Sequence, residues 1–187
     1  VTNEAVLNML HESDRTLKPG GIIRIVTPDI ELQYRAYVQN DRDYFYWIDY
    51  YSSEEDYKRV GIRKPLNQET LAQIFLEDFA SQASEIPLEG ASHRISDSEL
   101  HLLFKTKKFE DALDRCISLC AVDIQRKHPG SHINWFHAQK LTDMLGKAGF
   151  KNSYRSAYGQ SHSAPLRDLN FFDSTVPKVS LFMEAIK

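Results

Sequence analysis

The sequence predicts an α/β fold with strands near its two ends and a large helical block between them. Three observations carry this. Ile22–Val26 holds four branched apolar residues and one polar one, the pattern of a strand covered on both faces. It is entered from a helix through Leu17–Lys18–Pro19–Gly20–Gly21, where Pro19 forbids helix continuation and the glycines allow a tight turn. From Lys178 to Ile186, Val179, Leu181, Met183 and Ala185 form one apolar face and Phe182 and Ile186 mark the other, which places a second strand inside a sheet.

The 187 residues suffice for an ordinary domain with a core, and 42% hydrophobic with 26% charged residues is a globular composition. A net charge of −3 without a basic stripe argues against nucleic-acid binding. Lys105–Thr106–Lys107–Lys108 reads as a solvated helix junction. Neither a leader nor an apolar run of about eighteen residues is present, so no membrane association is expected. Cys116 and Cys120 are too few for a disulfide scaffold, and a reducing, cytoplasmic setting is the expectation.

Taken in order, Thr2 or Asn3 caps a first helix carrying Val6, Leu7, Leu10 and Leu17 on one side. The strand Ile22–Thr27 follows, and Pro28–Asp29 ends it. A helix starts at Ile30, with Tyr34, Tyr37 and Val38 a turn apart. Next come the aromatic residues Tyr44, Phe45, Tyr46, Trp47, Tyr50 and Tyr51, then Glu54–Glu55–Asp56. The aromatics suit either a pocket that stacks on a flat substrate or a helix docked through large side chains. Asn67 is expected to cap a helix bearing Leu71, Ile74, Phe75 and Phe79.

Ser96 and Glu99 form a capping box ahead of a strongly amphipathic stretch, Leu100 to Ile124, with a break near Thr106–Lys108. Ala138–Ala148 is a helix closed by Gly149. Ser153–Gly159 alternates as a strand, and Ser161–Thr175 reads as loop. The expected organisation is therefore an α/β part from 1–29 and 127–187, and a helical insertion or lid from 30–126.

The order Glu12–x–x–Arg15–x–Leu17–Lys18–Pro19–Gly20–Gly21, then Ile22–Asp29, resembles the second half of class I S-adenosylmethionine-dependent methyltransferases. There a helix, an "LKPGG" turn and the fifth strand of the sheet follow one another. His132–x–x–x–Phe136 leading to Ala148–Gly149–Phe150 is similar to the family's later helix ending "AGF", and Ser180–Lys187 to its last antiparallel strand. The similarity covers about half the chain. It implies a partial Rossmann-like methyltransferase sheet, one parallel-type strand plus a C-terminal antiparallel pair. It also implies a parent enzyme that binds S-adenosylmethionine and acts on a small-molecule or glycan-like substrate. The family's glycine-rich loop is missing, since no G-x-G occurs, and so are its first four strands. The expectation is a truncated chain that by itself neither binds the cofactor normally nor catalyses. A non-catalytic, methyltransferase-like assembly module is the alternative. In the family the fifth strand lies between its predecessor and the C-terminal strand, so Ile22–Thr27 is expected to leave an edge that recruits a second copy or a displaced segment.

Ligands of open α/β sheets bind beyond the carboxyl ends of strands, which directs attention to Thr27, Pro28 and Asp29. Asp29 can position or deprotonate a substrate group, or it can cap the next helix. Among His128, His132 and His137, His132 stands where the family-like segment begins and is the candidate base; the plainer reading is a polar, hydrogen-bonded loop. Tyr34, Trp47 and Trp135 are candidate stacking residues, and His93 with Arg94 can reach an anionic group or simply occupy an exposed loop. Cys116, Cys120, His128 and His132 have zinc-type donors, but the cysteines continue an apolar helix stripe and the spacing fits no standard finger, so no metal is expected.

Overall fold

The computed structural model describes residues 1–51, 53–55, 61–174 and 176–187. Asp56, the Tyr51 side chain and Thr175 lie outside the described residues. The chain forms two compact units: an α/β unit of Thr2–Leu32 with Phe136–Lys187, and a helical unit of Gln33–Trp135 joined by Val1.

In the α/β unit, α1 (Asn3–Thr16) is capped by Thr2, whose hydroxyl accepts the Ala5 N–H. Its helix ends at Leu17, and the Pro19–Gly20–Gly21 turn delivers the chain to β1 (Ile22–Pro28). Gly20 has φ +79°, and a Cβ on Gly21 would meet the Lys18 carbonyl oxygen at 2.8 Å, so both glycines are required here. The turn is tied to the chain terminus: Gly20 N–H donates to the Lys187 carbonyl, and Lys187 N–H to that of Gly21.

The sheet is three-stranded and antiparallel, in the order β1–β3–β2, with β2 at Asn152–Arg155 and β3 at Ser180–Ile186. The register of β1 on β3 runs from Ile22 opposite Ile186 to Pro28 opposite Ser180. β3 is central, as its two apolar faces require. β1 is an edge strand among the described residues, half-buried, with Val26 exposed, rather than covered on both faces.

Beneath one face, Ile23 and Ile25 pack with Val6, Leu10, Met144, Leu145, Ala148 and Ala185, so α1 and the helix Ala138–Ala148 cover it. That helix ends at Gly149 (φ 111°), whose N–H reaches back to Leu145 and Gly146 carbonyls.

Two strand limits differ from expectation by more than one residue. β2 stops at Arg155 instead of continuing to Gly159, because the backbone turns through an Ala157–Gln160 bridge with Gly159 at φ +65°. β3 starts at Ser180, since Pro177 has no N–H for a ladder and Pro177–Val179 forms a 3-10 turn.

In the helical unit, α2 (Ile30–Val38, starting in the α/β unit) contributes Gln33 onward, followed by α3 (Leu71–Ala80), α4 (Asp97–Thr106), α5 (Phe109–Ile117) and α6 (Val122–Lys127). Asn67 does not cap α3; it lies in a 3-10 turn, Leu66–Gln68, and Thr70 accepts the Gln73 N–H instead. The Ser96–Glu99 capping box is present, and the break between α4 and α5 falls at Lys107–Lys108. Phe75, Phe79, Leu100 and Leu113 are fully buried. The unit extends to Trp135 because Ile133 bridges Ala80 and the buried Trp135 donates its indole N–H to Asp114 at 2.9 Å.

Candidate functional site

At the carboxyl end of β1, Thr27 is half-buried and paired with Leu181. Asp29 is buried, and both of its oxygens are engaged. Oδ1 accepts the N–H groups of Glu31 (3.1 Å) and Leu32 (3.4 Å), the geometry of a helix N-cap, while Oδ2 accepts from Arg155 Nη2 at 2.7 Å. One oxygen of Asp29 thus caps the next helix and the other is paired with Arg155.

The principal polar cluster of the α/β unit centres on Arg24, which the sequence pattern registers only as the odd residue in an apolar strand. Its guanidinium grips Asp173 through Nε (3.0 Å) and Nη2 (2.6 Å), and reaches Glu184 through Nη1 at 2.8 Å. It also donates to Ser156 Oγ and to the Gln160 and Ala157 carbonyls, and lies 5.1 Å from the Phe182 ring centroid. All three charged side chains are nearly excluded from solvent. Hydrogen bonding from Arg24 lowers the Asp173 carboxyl. Burial alone would raise Glu184, but hydrogen bonds from Ser161, Tyr154, the His162 N–H and Arg24 outweigh it and leave the carboxyl below its ordinary value. Burial, with the Glu184 carboxylate, pushes the Tyr154 phenol up to about 12. The cluster fastens the 156–173 loop to the sheet and leaves its charges satisfied.

In the helical unit, His132 has an exposed ring but a fixed backbone: its N–H donates to Ser81 Oγ at 2.8 Å and its carbonyl accepts the Ser81 N–H at 2.9 Å. Glu77 and Asp78, in the last turn of α3, each bring a carboxylate oxygen to within 4.8 Å of an imidazole nitrogen of His132 and of each other. Asp78 is buried, and its Oδ2 accepts from Gln33 Nε2 at 3.0 Å. Neither acidic residue stands out in the sequence; two carboxylates at a helix end without a basic neighbour are the signal that was there to read.

The other candidates have structural contacts. Tyr34 joins an aromatic cluster, 4.8 Å from both Phe104 and Phe109 by ring centroids. Trp47 is half-buried and edge-on to Phe45. Arg94 is half-buried and clamps the Ser84 and Pro87 carbonyls at 2.8 Å, which directs its charge into a loop. His93 is exposed, 3.4 Å from Glu99. Trp135 is core, and His137 is buried with its Nδ1 accepting the Lys140 N–H as an N-cap. His128 is exposed and paired with Glu89 at 2.7 Å. Burial raises the Cys116 thiol to about 12 and the Cys120 thiol to about 11.

No protein-family model matches the chain, and no curated protein or solved structure matches it. Among the described residues, no helix is long and apolar enough to cross a membrane.

Proposed function

We propose that the chain is the C-terminal portion of an S-adenosylmethionine-dependent methyltransferase of a partial Rossmann-like sheet, acting on a small-molecule or glycan-like acceptor in the cytoplasm. The helical unit supplies acceptor specificity. One observation carries the reading: the strand entered through the Leu17–Gly21 turn pairs antiparallel with the C-terminal strand along its whole length, as the fifth and last strands do in the family it resembles. The free edge of β1 then pairs with a further strand or with a second copy of the chain.

The cofactor would supply an electrophilic methyl group on a sulfonium. The residues at hand do not form its cradle: the sequence has no G-x-G, and Asp29 is committed to a helix cap and to Arg155. That commitment of Asp29 is also what favours the second reading, a non-catalytic methyltransferase-like module.

The sequence encoded upstream of Val1 is the first test; four strands, the first followed by a glycine-rich loop, are expected there, and an upstream region without them overturns the proposal. Calorimetric titration of S-adenosylhomocysteine should give no heat with these 187 residues and saturable binding once the upstream half is included. Binding that the upstream half leaves unchanged argues against the reading.

A further inference from the structure

We propose that Glu77, Asp78 and His132 bind a divalent cation of the zinc or manganese class, with Gln33 Oε1 as an additional oxygen donor. The site lies wholly within the helical unit and does not depend on the methyltransferase reading.

The first argument is convergence. Three ligand atoms from three different side chains lie within 4.8 Å of one another. A tetrahedral ion held at about 2.0–2.2 Å by imidazole and carboxylate needs its donors roughly 3.4 Å apart, a closure that small side-chain rotations supply.

The second is an unbalanced charge. Asp78 is buried, and its hydrogen bond comes from the neutral Gln33 amide. Among the described residues no Lys or Arg pairs with Asp78 or Glu77, and the last turn of α3 contains no basic residue. The negative end of the helix dipole opposes carboxylates at this position. A bound cation removes each of these penalties at once.

The third is an unused acceptor. Gln33 is 1% exposed, and its Oε1 is buried without a hydrogen-bond partner. It belongs to the same amide whose Nε2 touches Asp78, so a lone pair with nothing to accept stands on the group that holds Asp78. A metal ion gives it a partner.

The backbone supports the site. Ser81 clamps His132 from both sides through its N–H and Oγ, and Ala80 bridges Ile133, which holds the histidine segment against the end of α3. The exposed imidazole leaves an entry path from solvent. One imidazole with carboxylate and amide oxygens suits zinc or manganese better than the all-oxygen shells preferred by calcium and magnesium.

Isothermal titration of the full chain, stripped with chelator, with zinc, manganese and magnesium chlorides near neutral pH tests this. One equivalent of zinc or manganese should bind, at least about tenfold tighter than magnesium, and raise the melting temperature. His132→Ala should weaken binding roughly tenfold or more. The near-isosteric Asp78→Asn should do the same while keeping the native circular dichroism. His128→Ala, which removes an exposed imidazole paired with Glu89, should leave binding unchanged. Absence of saturable binding, or equal binding by wild type and His132→Ala, overturns the assignment. So does loss of binding in His128→Ala alone, which would move the ion to the Glu89 pair.

Discussion

Asp173 and Glu184 in the α/β unit, and Glu77 and Asp78 in the helical unit, are acidic pairs drawn partly or wholly out of water, yet only the first pair has its own cation. Arg24 gives Asp173 a two-pronged grip and Glu184 a third contact, and Tyr154 and the His162 N–H fill the remaining acceptor positions. In the helical unit the corresponding partner is an uncharged amide with one atom left unpaired. A buried charge costs heavily unless it is paired and hydrogen-bonded. The difference therefore separates a cluster that is complete as folded from one that is completed by a ligand.

Breaking the complete cluster should have the largest effect. Arg24→Met leaves two buried carboxylates without a cation, and urea unfolding should show a loss of about 3–5 kcal/mol. A loss below about 1 kcal/mol would mean that water reaches the cluster and that its closure is overstated.

Acid should attack the same cluster. Asp173 and Glu184 are both held below their ordinary values of 3.8 and 4.5, so the unfolded chain binds more protons than the folded one. Their contribution is fully present above the ordinary values and is lost as pH falls through the lowered ones. Unfolding free energy measured against pH should fall in that acid window, and Arg24→Met should flatten the slope.

Tyr154→Phe removes one charge-directed donor, 2.6 Å from Glu184, and should cost about 1.5–3 kcal/mol by the same urea assay. The phenol is half-buried against this carboxylate, and an unchanged midpoint would show that water replaces it.

The incomplete cluster should respond in the opposite direction. Without metal, Asp78→Asn removes a carboxyl whose pKa burial has raised, a group that destabilises the fold increasingly as pH rises. The variant should be more stable than wild type near neutral pH, and the gain should vanish or reverse when zinc is added. Equal melting temperatures with and without zinc in both proteins would erase the contrast between the two clusters.

Much of the fold was legible because it rests on local rules. Thr2, the Ser96–Glu99 box and Gly149 mark helix ends through backbone groups within a few residues, and each cap forms as its spacing predicts. The two-faced pattern of Ser180–Ile186 identifies a central strand for the same reason. Asn67 shows the limit: Asn67 and Thr70 are both competent caps, and the 3-10 turn at Leu66–Gln68 decides in favour of Thr70. The candidate site was less legible. His132 is visible as a lone imidazole, but its partners lie more than fifty positions earlier in α3, and no local period links them.

By itself the sequence determined the helix ends at Thr2, Ser96 and Gly149 and the Leu17–Gly21 turn, all of which depend on steric and hydrogen-bonding rules acting over a few residues. Tertiary structure alone decided which charges meet. Arg24 joins Asp173 and Glu184 from opposite ends of the chain, while Asp78 meets only an amide. Electrostatic energy in a low-dielectric interior depends on distance in space, which sequence separation does not encode.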